Sequence, residues 1–67
     1  MRLMRLKEVM QATGLGRSTL YKYIAAGHFP EPVSLGGRSV AWVGEEVDEW
    51  ILACIAERDA KADVSYE

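Results

Sequence analysis

The chain has 67 residues, 49% of them apolar and 27% charged, with a formal net charge of −2 and a single cysteine. That is one small domain, of a size that buries only about 60% of its unfolded surface and carries about 3–5 kcal/mol of stability. No apolar run approaches membrane-spanning length, the opening MRLMRLKEV is too short in its apolar part for a signal peptide, and one cysteine rules out a disulfide framework. A cytoplasmic protein with no membrane partner is expected.

In chain order, Met1 to Arg5 alternates basic and apolar residues, as a short strand or ordered arm does. Leu6, Val9, Met10 and Thr13 then mark a helical stripe, with Lys7, Glu8 and Gln11 outward. No Ser, Thr, Asp or Asn stands at its start, and Gly14 closes it. A second helix follows almost at once. Leu15 and Leu20 have the spacing of a hydrophobic staple, making Gly16 the N-cap and Arg17 the first helical residue. Leu20, Tyr23 and Ile24 face a core. Ser18, Lys22 and Ala25 turn away, and Arg17 and Tyr21 lie on the flank. Gly27 suits a left-handed position after the helix, and Pro30 cannot continue it. Two short helices joined through glycine form the pattern of a helix-turn-helix.

After Pro30 the period changes to two. Gly36-Gly37 reads as a two-residue hairpin loop, which sets Leu35 opposite Arg38 and Val33 opposite Val40. Val33, Leu35, Val40 and Trp42 then share a buried face, and Arg38 stands at the tip. A third helix opens near Gly44 with Glu45, Glu46, Asp48 and Glu49 in its first turns, where negative charge suits the helix dipole. Its expected buried stripe is Val47, Trp50, Ile51, Cys54 and Ile55. From Asp59 the sequence DAKADVSYE has no clear period, so the domain is drawn over residues 1–58 with a mobile tail over 59–67. The architecture predicted is mainly α with a small β-hairpin: a winged helix-turn-helix.

Charge is divided along the chain. Up to Val43 six basic residues stand against two acidic ones, and from Gly44 onward two basic residues stand against eight acidic ones. The overall isoelectric point hides a basic part and an acidic part.

Five segments in order carry a family resemblance: LKEV at Leu6 to Val9, TGLGRSTLY at Thr13 to Tyr21, GHFP at Gly27 to Pro30, LGGRSVAW at Leu35 to Trp42, and VDEWI at Val47 to Ile51. Together they resemble the AlpA-type prophage regulators, within the wider excisionase-like and MerR-like group. The resemblance implies a DNA-binding phage or prophage transcription regulator, often one affecting excision. The chain departs from the pattern at Gly16 and near Gly44, where members commonly carry Ser or another polar cap. A glycine N-cap costs only a few tenths of a kcal/mol relative to those residues.

On this reading the candidate contacts to double-stranded DNA are Arg17, Ser18, Thr19, Tyr21 and Lys22 on the second helix and Arg38 on the wing. Arg17 has the geometry to take guanine O6 and N7 with two bonds, and Ser18 and Thr19 suit phosphate or base edges. The chain has no Asn, so the Asn–adenine contact is missing. Arg2, Arg5 and Lys7 are weaker candidates. Each of these cations has a bland alternative as a solvated surface charge. Trp42, Trp50 and Phe29 read as core anchors rather than base-stacking platforms, and Cys54 as a small core residue.

The GLGRST run at Gly14 imitates a dinucleotide fingerprint but follows a helix, with Thr19 where the third glycine belongs. His28 is solitary and reads as a hinge residue. No nucleophile–base pair, metal set or phosphate loop is present in the sequence, so no enzyme, metal or cofactor is expected. The sub-reading is an excision factor working with an integrase. The rival of another class is a protein-interaction module on the same scaffold. The split charge further suggests monomers that associate head to tail on adjacent, directly repeated sites.

Overall fold

The computed structural model describes residues 1–61. In chain order they form β1 (Leu3–Met4), α1 (Leu6–Thr13), α2 (Arg17–Ala25), β2 (Val33–Gly36), β3 (Ser39–Val43) and α3 (Gly44–Ala60). The three strands make one antiparallel sheet in the order β1-β3-β2. This is the winged helix-turn-helix expected, with the N-terminal arm resolved as a strand. Leu3 pairs with Val43 and Met4 with Trp42, so the chain start is stitched to the far strand of the wing.

Each local break in the helices has a chemical cause. Arg5 cannot cap α1 with its side chain, and Glu8 Oε1 instead accepts the Arg5 backbone N–H at 2.9 Å. Gly14 ends the helix at φ 76°, donating to the Met10 carbonyl. The Thr13 hydroxyl donates to the Val9 carbonyl at 2.8 Å and accepts the Leu15 N–H at 3.2 Å, satisfying two backbone groups inside the turn. At the other end of α2, Gly27 takes φ 79°. His28 N–H bonds back to the Tyr23 carbonyl and Gly27 N–H to that of Ile24, the paired bonds of a Schellman motif.

The core is a cluster of Met4, Val9, Leu20, Phe29, Trp42 and Val47, with Leu6, Met10, Leu15, Tyr23, Ile24, Val40, Trp50 and Ile51 packed around it. Every element except β2 thus places at least one side chain in or against it.

Two expectations are corrected. The hairpin loop is Gly37-Arg38 rather than Gly36-Gly37, and the register is shifted by one: Val33 pairs with Ala41, Ser34 with Val40, and Gly36 with Ser39. An irregularity between Ser34 and Gly36 absorbs Leu35, and Gly36, at φ 106°, is the residue that permits it. Ala41 and Trp42 are both fully buried, whereas Val33 and Leu35 are exposed. The sheet therefore buries side chains on both faces of β3 and leaves β2 as a thin outer edge. Arg38 still stands in the turn, exposed, as expected.

The second correction concerns α3. Its buried stripe ends at Ile51; Cys54 is exposed, and Ile55 is 38% exposed. A 17-residue helix is about 25 Å long, and a five-residue strand such as β3 gives it cover over only about 17 Å. The sequence period continues past the point where there is anything to pack against. Asp59 and Ala60, assigned to the tail, belong to this helix; the remainder of that expected tail beyond Lys61 lies outside the described residues.

Gly44 has a specific role. Its N–H donates to the Arg2 carbonyl at 2.7 Å, and a Cβ at this position would lie 3.0 Å from that same oxygen. Arg2, just before β1, thus supplies an acceptor at the start of α3, and a side chain at position 44 would push its carbonyl back by a few tenths of an ångström.

Candidate nucleic-acid interface

The outer surface of α2 is assembled by its first residue and by its cap. Gly16 offers no side-chain bond to the helix start, and no acidic residue lies in the first turn. The first turns of α1 and α3, by contrast, hold Glu8 and the pair Glu45 and Glu46. The N-terminus of α2 therefore keeps its free N–H groups and positive dipole end uncompensated, beside the Arg17 guanidinium. Such a terminus is suited to a phosphate.

Arg17, Ser18 and Lys22 are exposed, and Ser18 and Lys22 are one turn apart. Thr19 is half-buried, on the flank toward the core. Tyr21 is 40% exposed and sets its ring edge-on to Trp42, with centroids 6.4 Å apart and planes at 62°. That contact fixes the tyrosine's orientation while leaving its outer part open. Arg38 stands on the wing, in a turn whose first central residue, Gly37, has φ 56°. The α2 candidates thus share one short helix, with Thr19 set apart toward the core, and Arg38 belongs to a separate element.

What joins those two elements is the loop from Ala26 to Pro32, and two tryptophans hold it. The Trp50 Nε1–H donates to the His28 carbonyl at 2.6 Å, and the Trp42 Nε1–H to the Pro30 carbonyl at 3.0 Å. Between these bonds Phe29 is buried, its ring T-shaped against Trp50 at 4.9 Å. The helix and the wing are consequently tied to each other through β3 and α3. The tryptophans were legible as core anchors, but their role as donors to this loop was not. The signal available was general: a tryptophan packed on an apolar face brings an indole N–H that seeks an acceptor.

Among the described residues the only ion pair is Arg58–Asp59, so Arg17, Lys22 and Arg38 have no internal counter-ion. No group of three His, Cys, Asp or Glu among them is arranged to hold a metal ion, and no described helix is long and apolar enough to cross a membrane.

Comparison with known proteins agrees with this architecture. The family model of the prophage CP4-57 regulatory protein (AlpA) matches residues 2–55, from β1 to the exposed part of α3. The uncharacterized protein ORF88 of Enterobacteria phage P4 is 51% identical over 57 residues, which is 85% of this chain and 65% of that protein's length. The DNA-binding transcriptional activator AlpA of Escherichia coli K12 is 38% identical over 56 residues, 75% of this chain and 80% of the relative. With a match across β1, the helix-turn-helix, the wing and most of α3, the chain belongs to the AlpA family of prophage regulatory proteins.

Proposed function

We propose that the protein binds double-stranded DNA sequence-specifically and regulates transcription. The observation that carries this reading is the start of α2: a helix N-terminus with no capping side chain and no acid in its first turn, an arginine at its first position with no ion-pair partner among the described residues, and Ser18 and Lys22 exposed beside it. A relative named as a DNA-binding transcriptional activator supports it.

The roles follow from chemistry. The α2 N-terminus and Ser18 hold a phosphate, which sets the register of the helix. Arg17 and Lys22 reach base edges, with Arg17 directed to guanine. Arg38 holds the backbone from the wing. Thr19, being half-buried, serves the near flank, and Tyr21 offers its outer edge to the sugar-phosphate chain.

Selection of bound fragments from random and native genomic DNA, followed by footprinting and a salt titration, tests the proposal. Arg38, the cation assigned to phosphate, contributes about −1 to the slope of log affinity against log salt. Failure to enrich any sequence, or an affinity independent of salt, refutes it and favours the protein-interaction reading.

A further inference from the structure

Pro30 and Glu31, on the loop before β2, and Glu46, Glu49 and Trp50 of α3 enclose an open groove of about 490 Å³. Glu46, Glu49 and Trp50 share one helix face through their spacing of three and four. Among the described residues none of the three carboxylates has an ion-pair partner. The Trp50 N–H is already engaged by His28, so the indole turns only ring surface toward the groove. An apolar floor with carboxylates around it repels phosphate. It fits a lysine or arginine, whose stem lies on the rings while its charge reaches the acids.

The same chain carries such residues. Arg5 and Lys7, at the start of α1, are exposed and unpaired among the described residues. Arg2 is differently placed, lining a separate groove of its own chain with Glu45 and Asp48. In the first turns of α3, Glu45 and Asp48 share their groove with Arg2, whereas Glu46 and Glu49 line theirs with no cation of the same chain beside them.

We propose that this groove receives the Arg5–Lys7 edge of a second copy bound at the adjacent DNA site, so that copies line up head to tail. The inference rests on the DNA-binding reading above. Groove and edge are different surfaces, so the contact is heterologous and does not close on itself. Exposed ion pairs are individually weak, so free copies remain monomeric. Two copies held side by side on DNA meet at high effective concentration, and there a weak contact becomes measurable.

The experiment compares binding to fragments carrying one selected site or two adjacent ones, with the two-site to one-site affinity ratio as the readout. Wild type gives a cooperative ratio on the order of tenfold. The double variant Glu46→Lys/Glu49→Lys, checked for folding by circular dichroism, loses it while still binding one site. Adding Arg5→Glu and Lys7→Glu to that chain restores the ratio, because groove and edge are then both reversed. If the lysine variant does not fold, Glu46→Gln/Glu49→Gln takes its place and lowers the ratio. An unchanged ratio, a loss that the swap does not repair, or a stable dimer sedimenting without DNA overturns the proposal while leaving DNA binding standing. Failure of the wild type to bind even one site overturns the DNA-binding reading itself.

Discussion

Trp42 is the side chain on which the domain most depends, and its removal is the most exacting test of the packing. It is fully buried, pairs through its backbone with Met4, meets Tyr21 edge-on, and donates its indole N–H to Pro30. Truncation of a buried tryptophan to alanine costs about 3–5 kcal/mol through lost transfer energy and the cavity left behind. Leaving the Pro30 carbonyl without its donor adds a further penalty of about 1–3 kcal/mol where water does not reach it. The whole domain has about 3–5 kcal/mol to lose. Trp42→Ala should therefore abolish the cooperative transition at 25 °C. Urea and thermal unfolding followed by far-ultraviolet circular dichroism measures this. Trp50, then the only tryptophan, reports by fluorescence whether its own surroundings persist. Trp50→Phe is the control: its hydrogen bond is exposed, so the loss should be only about 0.5–1.5 kcal/mol. A Trp42→Ala variant that unfolds cooperatively near the parent midpoint refutes the assignment of this residue as the centre of the core.

Arg17→Ala should relax sequence preference and cost about 1–3 kcal/mol on the best site, whereas Arg38→Ala should weaken all sequences alike and reduce the salt slope by about one; equal effects on specific and scrambled DNA contradict this division of roles. Gly44→Ala should destabilise by about 1–3 kcal/mol, as overpacking does, because its Cβ meets the Arg2 backbone oxygen at 3.0 Å; an unchanged urea midpoint shows that β1 yields freely. Cys54 should react with a thiol reagent in the native protein as fast as in urea, since it is exposed, and strong native protection contradicts the end of the core at Ile51.

The parts of the fold written in local chemistry were legible in the sequence. Gly14, Gly16 and Gly27 bound the two helices where the staple, caps and breakers place them. The hairpin was legible as a hairpin but not in its register. Three small or glycine residues near the tip permit more than one pairing, and the irregularity that swallows Leu35 leaves no periodic trace. The extent of burial along α3 was hidden for a different reason. Periodicity reports which face of a helix is apolar, but Cys54 and Ile55 continue that face beyond the reach of the sheet. For the candidate interface, Arg17, Ser18, Lys22 and Arg38 stand exposed where the pattern put them, while Thr19 is half-withdrawn and Tyr21 leans on Trp42. The fastening of the intervening loop by two indoles depends on contacts 12 and 22 residues apart, which no local pattern encodes.

The β1–β3 pairing has a kinetic consequence. Leu3 meets Val43 across some forty intervening positions, whereas the helix-turn-helix and the wing close through contacts only a few residues apart. Loop closure over the long span carries an entropy that the short ones do not. The chain start should therefore dock last in refolding, onto a β3 strand and an α3 terminus already formed. Mutations in β1 should then accelerate unfolding and leave the folding rate almost untouched. A ribosome releases the N-terminal residues first, yet Met4, which is only 2% exposed in the finished domain, must wait for Trp42 to emerge before it has a place to go. The domain is thus committed to folding after nearly all of it has been synthesised, with its first strand as its final fastening.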